Sequence, residues 1–94
     1  MILTLSEACN VLHVDEGAND VLITSLVWAI PDYIEVATGL NYSQQEELAL
    51  TRTVAGLILT QWYYADHADD QALTRTINSL LKALSVQARA YHAE

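Results

Sequence analysis

Apolar residues recur every three to four positions along most of the chain, and short polar stretches separate the segments that keep this rhythm. That is the pattern of amphipathic helices joined by turns. Thr4-Leu5-Ser6-Glu7 has the Thr-x-x-Glu spacing of a capping box, in which hydroxyl and carboxylate reciprocally satisfy free backbone N–H groups. A short helix should follow, with Ala8, Val11 and Leu12 on its apolar side. Asp15-Glu16-Gly17-Ala18-Asn19 is turn chemistry that ends it.

Asn19 or Asp20 can cap a second helix, and an acidic first turn is favourable against the positive end of the helix dipole. This helix is predicted to span about Asp20 to Thr38, with Gly39 where a left-handed C-terminal cap needs a residue without Cβ. Leu22, Leu26, Ala29, Tyr33 and Ala37 form one apolar stripe along it, and Ile23, Val27, Ile30 and Ile34 form another beside it. More than half the circumference is therefore apolar, a width that one small core does not cover. Pro31 removes an internal hydrogen bond and crowds the carbonyl four residues earlier, so a kink is expected near Val27 to Pro31.

Ser43-Gln44-Gln45-Glu46 has the spacing of a second capping box and is expected to open a long helix ending near Tyr64. Leu48, Ala55, Ile58 and Trp62 line one face of it, with Leu50, Val54 and Leu57 adjoining. Gly56, costing about 1 kcal/mol relative to Ala inside a helix, suggests a neighbouring element that approaches closely. Asp66-His67-Ala68-Asp69-Asp70 breaks the rhythm as a polar loop. A last helix from about Leu73 to Leu84 repeats Leu73, Ile77, Leu80, Leu81 and Leu84, and the segment from Ser85 to Glu94 reads as a mobile tail or a helix extension. Strand-like alternation is missing. The reading is a single all-α domain over residues 1–94, a bundle of about four helices with the second kinked. Its core is expected to be set by Leu22, Leu26, Tyr33, Val54, Ile58, Trp62, Ile77 and Leu81.

Length and composition narrow the function. Ninety-four residues leave room for one core and not for two lobes around a cleft. Twelve acidic residues against four basic ones (Arg52, Arg75, Lys82, Arg89) give a net charge of −8, opposite in sign to the footprint of a nucleic-acid binder. The first 51 residues hold eight of the acids and none of the bases. A single cysteine, Cys9, supports neither an internal disulfide nor a multi-thiolate zinc site, as expected in a reducing cytosol. The N-terminus lacks the look of a secretory signal, and Leu26 to Pro31 is far shorter than a bilayer span, so a soluble intracellular protein is expected.

No catalytic or cofactor signature emerges. Gly17, Gly39 and Gly56 are too far apart for a phosphate-cradling loop, and Asp15 to Asp20 lacks the spacing of a calcium loop. His67 with Asp66, Asp69 and Asp70 has metal-compatible ligands but no rigid element or recognisable spacing, and reads as a solvated loop. No catalytic, cofactor-binding or metal site is expected. The aromatics are more telling. Trp62-Tyr63-Tyr64 spread over nearly 300 degrees of a helix, so they cannot all face one core. Trp28 shares its side of the second helix with Ser25, Asp32 and Glu35. Trp28, Tyr63 and Tyr64 are therefore the candidate subunit-interface residues.

The order of these motifs resembles the short form of the phage head-tail connector family, adaptor proteins that dock under the portal of long-tailed phages and prophages. Leu3-Thr4-Leu5-Ser6-Glu7-Ala8 and Leu12-His13-Val14-Asp15 look like the family's opening helix, and Asp20-Val21-Leu22-Ile23 through Leu26-Val27 like the start of its second. Tyr33-Ile34-Glu35 with Thr38-Gly39 is similar to the end of that helix. Trp62-Tyr63, and Ile77 with Leu80-Leu81, resemble the later landmarks. The resemblance implies a structural role without catalysis or cofactor. Copies would form a homo-oligomeric ring at the virion head-tail junction, between the portal protein and tail or head-completion proteins. DNA would pass through its channel without tight binding, and the ring would assemble in the bacterial cytoplasm with no membrane involved. An acidic regulatory module, mimicking nucleic acid on a partner protein, is the alternative.

Overall fold

The computed structural model describes residues 2–64 and 70–91. Over them the chain is an all-α bundle of five helices without strands: α1 (Leu5–Leu12), α2 (Asp20–Thr38), α3 (Tyr42–Glu47), α4 (Ala49–Tyr63) and α5 (Gln71–Tyr91). The Thr4 capping box forms as expected, with Glu7 N–H donating to Thr4 Oγ1 (3.1 Å) and Thr4 N–H to Glu7 Oε1 (3.0 Å). α1 stops earlier than the acidic turn would stop it. His13 takes the left-handed conformation (φ 59°), which histidine visits more readily than most residues, and Val14 N–H then reaches back to the Cys9 carbonyl.

Gly39 ends α2 as the sequence suggests, at φ 86° with its N–H on the Glu35 carbonyl (2.8 Å). The buried Thr38 hydroxyl reinforces that end, donating to the Ile34 carbonyl (2.7 Å) and accepting from Leu40 N–H (3.2 Å). At the other end Asn19 is the capping residue, but its side chain makes no cap bond. Asp20 instead receives the Gly17 N–H (2.7 Å), closing the turn before the helix. The helix continues through Pro31 without interruption.

The expected single helix from Ser43 to Tyr64 is two helices. The capping box lies two residues earlier than expected, between Asn41 and Gln44 (3.0 Å in both directions), because Asn41 and Gln44 have the same spacing and Asn is among the best N-caps. Leu48, in extended conformation (φ −107°, ψ 114°), then separates α3 from α4. The reason is phase. At about 100° per residue, an unbroken helix would carry Gln45 roughly 180° away from Val54, yet both are fully buried. One extended residue resets the register so that both faces turn inward. Gln45 is locked by donating its amide N–H groups to the Pro31 and Leu40 carbonyls (2.9 Å each).

Asp70 starts α5 by accepting Leu73 N–H on its carboxylate (3.1 Å); the rest of the polar segment expected at 66–70, His67 included, lies outside the described residues. The helix runs beyond Leu84 to Tyr91, so 85–91 is an extension and not a tail, while 92–94 are outside the description. Ala88 is buried, and the Tyr91 hydroxyl donates to Glu47 of α3 (2.9 Å), which docks the last turns.

α2 and α4 each touch every other helix, within dimensions of 46 × 27 × 18 Å, the smallest close to two helix diameters. The core holds Val54, Ile58, Ile77 and Leu81 as expected. On α2 it selects the other stripe: Ile23, Val27, Ile30 and Ile34 are at most 1% exposed, whereas Leu22 and Tyr33, expected inside, lie outside. Leu26 and Trp62 are only half-buried against the core. α1 packs over Gly56, but a Cβ there would sit 3.7 Å from the Val11 methyl carbons, an ordinary contact, so the approach is not close enough to require glycine.

Candidate interaction surface

The outward face of α2 is unusually apolar for an exposed helix face. Val36 is 89% exposed, Val21 85%, Trp28 56%, Leu22 51% and Tyr33 43%. Polarity enters it only through Ser25, Asp32 and the flanking Glu35, all exposed. Among the described residues α2 is the helix long and apolar enough to cross a membrane by length and composition. Its inner face packs on the other helices, and about a third of that stretch (33%) is buried inside the bundle. The surplus arises because the bundle covers the Ile23–Ile34 stripe, while Leu22 and Tyr33 of the other stripe, and Val21, Trp28 and Val36 beyond both, stay outside.

Of the three candidate interface residues, Trp28 stands outward at the centre of this face. The other two have work inside the chain. Tyr63 is half-buried, accepts a hydrogen bond from Asn19 Nδ2 (2.7 Å) and meets the Tyr64 ring edge-on at 4.9 Å. Tyr64, also half-buried, donates its hydroxyl to the Leu12 carbonyl at 2.5 Å. Together they pin the end of α4 to the turn between α1 and α2. Trp62 packs edge-on against Tyr33 at 5.4 Å, which gives the third direction of the aromatic triplet a partner on α2. Residues the sequence reading did not single out, Val21 and Val36, extend the Trp28 surface along the helix. Their signal was present: both lie on the same side as Ser25 and Asp32.

Charge is segregated. Arg52 forms an ion pair with Glu7, an exposed contact of small energetic value. The other three cations sit exposed on α5, whose 21 residues contain no acid. An open depression of about 590 Å³ adjoins the start of α2, lined by Gly17 to Leu22 and Ser25. Asp20 is the one charged residue of its lining, and it is already engaged with Gly17 N–H. Cys9 is buried; desolvation pushes its thiol above the ordinary range, and the negative fields of Asp20, Glu16 and Asp15 add to this. It is held protonated, the opposite of an activated nucleophile. Among the described residues no group of three or more His, Cys, Asp or Glu could hold a metal ion; the His67 cluster lies outside them apart from Asp70.

No protein-family model, curated protein or solved structure matches the chain.

Proposed function

We propose that this protein is a structural subunit of head-tail connector type, whose copies form a ring between portal and tail components with a channel for DNA, and that it acts without catalysis or cofactor. The observation that carries the reading is the uncovered apolar face of α2 around Trp28. A bundle that leaves so much apolar helix surface in water is built to bury it against another chain. In a ring that burial is heterologous: one patch meets a different patch on the next copy, and rotation closes the circle. The bend that Pro31 would introduce into α2 belongs to this proposal, since it would curve the outer face toward a neighbour. The motif order from Thr4 to Leu81 and the resemblance it carries supply the identity of the assembly, and with it the virion junction and the portal and tail partners.

DNA passage fits a weakly interacting wall. Affinity for duplex comes largely from Lys and Arg neutralising phosphates, and a net charge of −8 opposes it. A conduit that held DNA tightly would oppose its ejection. The second reading, an acidic module that occupies a partner's nucleic-acid site, is favoured by the eight acids and no base in the first 51 residues. Light scattering and negative-stain microscopy of concentrated protein decide between them. Closed rings support the connector reading, whereas a monomer or dimer that binds a basic partner supports the mimic and sinks the connector.

A further inference from the structure

Arg75, Lys82 and Arg89 follow one another at intervals of seven residues in α5. Seven residues fall only about 20° short of two full turns, so the three form a nearly straight row roughly 21 Å long. All three are exposed, on the side of α5 away from the buried Ile77, Leu81, Leu84 and Ala88. α2 carries a second row at the same interval: Val21, Trp28 and Glu35, with Asp32 beside Trp28 one turn on. It too is exposed and, by the same count, roughly 21 Å long. α2 and α5 pack on each other through their buried faces, so the two rows look away from a shared core and cannot meet within one molecule.

We infer that the α2 row of one copy seats against the α5 row of the next, with Asp32 and Glu35 pairing with the cations and the Trp28 ring receiving one of them over its face. The inference deepens the connector reading and rests on it, because it takes copies of this chain as the partner. Charge decides the geometry. Set two-fold on itself, α2 finds no cation for Asp32 and Glu35 and α5 opposes base to base, while the reciprocal two-fold that would join α2 to α5 twice is barred because the two rows look in opposite directions. Only the head-to-tail pairing is complementary, and a head-to-tail contact is what a ring requires. Trp28, with Val21 along the same row, supplies the apolar centre and the ions supply the rim, the usual anatomy of an interface with a buried anchor. Duplex DNA is the competing occupant of the basic row. The α2 row on the same chain, equal in length, apolar at Val21 and Trp28 and acidic at Asp32 and Glu35, favours a second copy.

The test uses the full chain and two double variants, Asp32→Lys with Glu35→Lys, and Arg75→Glu with Arg89→Glu. All four positions are exposed, so helical circular dichroism should be unchanged in both. Sedimentation at low salt should show the wild-type chain associating, with each variant alone weakened by at least about tenfold. Mixing the two variants should restore assembly beyond a dimer, because each reversed face then finds its complement on the other variant. If either variant assembles like the wild-type chain, the inference fails and the ring reading stands. If these faces govern association but the product is an open chain, the inference holds and the ring reading fails. A wild-type chain that stays monomeric at every concentration sinks both. Saturable duplex binding that is lost in the α5 variant while assembly is unaffected assigns the basic row to DNA and overturns the inference.

Discussion

α2 and α5 are the two long helices of the bundle, and they solve the problem of amphipathicity differently. α5 is divided more cleanly: Ile77, Leu81, Leu84 and Ala88 face inward, while Arg75, Asn78, Lys82 and Arg89 face water and Val86 and Tyr91 are its exposed large apolar side chains. α2 is apolar nearly all round, burying isoleucines and valine on one side and exposing Val21, Leu22, Trp28 and Val36 on the other. Covering a large apolar side chain stabilises by about 1.5 to 3 kcal/mol, and on the outer face of α2 that gain is unrealised within one chain. A helix whose polar stripe is complete has been finished by its own fold; one whose polar stripe is narrow still has surface to place.

The sharpest way to break this comparison is to attack what holds the inner face of α2. Gln45→Glu replaces a fully buried double donor with a group that, when charged, can donate to neither the Pro31 nor the Leu40 carbonyl. It should cost about 3 to 5 kcal/mol in denaturant unfolding at neutral pH. Burial raises the pKa of such a carboxyl, so the deficit should shrink as pH falls and the neutral acid regains a donor; a deficit independent of pH would count against the dry setting of Gln45. Ile34→Ala and Leu84→Ala, at buried positions of the two helices, should each cost about 2 to 5 kcal/mol, and Val36→Ala on the outer face below about 0.5 kcal/mol. Equal costs for Ile34→Ala and Val36→Ala would show that α2 has two buried faces.

Smaller effects sharpen the picture. Gly56→Ala should stabilise by about 0.5 to 1 kcal/mol, since the added methyl would meet Val11 at an ordinary contact distance and helix propensity improves. A loss of stability would mean that α1 and α4 approach more tightly than the 3.7 Å spacing. Trp28→Ser should change unfolding free energy by less than about 1 kcal/mol, with helical circular dichroism intact, while weakening self-association. Outright unfolding would place Trp28 in the core. Tyr91 tests the far end of α5: its hydrogen bond to Glu47, then burial, then the Glu47 charge, hold the phenol above the ordinary tyrosine range. That contribution is full at neutral pH and disappears as pH rises and the phenol ionises. In an NMR titration Glu47→Gln should bring the Tyr91 pKa down, and an unchanged value would mean that the bond does not form in solution.

Much of this fold was legible. The Thr4–Glu7 box, the Gly39 cap and the inner face of α5 follow from local chemistry that has one solution. Where two solutions were available, the sequence did not choose. Asn41–Gln44 and Ser43–Glu46 are capping boxes of equal spacing, and only the seating of Gln45 between the Leu40 carbonyl and the Pro31 carbonyl of α2 selects the first. The stripes of α2 are comparably apolar, and the choice between them was made by α1, α3, α4 and α5 arriving on one side. Leu48 shows the limit most plainly, because the mismatch of phase between Gln45 and Val54 becomes visible only once both are known to be buried. For the surface the outcome was mixed. Trp28 was readable from its polar neighbours, whereas the partners of Tyr63 and Tyr64 lie 44 and 52 residues away, beyond any local pattern.

Those two long-range bonds bear on the order in which the fold is made. α1 has eight residues, too few to persist as a helix on its own, and its last carbonyls sit in a turn that Tyr63 and Tyr64 hold from the end of α4. Joining them closes a loop that contains all of α2 and α3, so the latch can form only after the central helices have met. Its contribution therefore falls mainly on the native side of the folding barrier. The hydroxyls of Tyr63 and Tyr64 govern how fast the structure is lost much more than how fast it is gained.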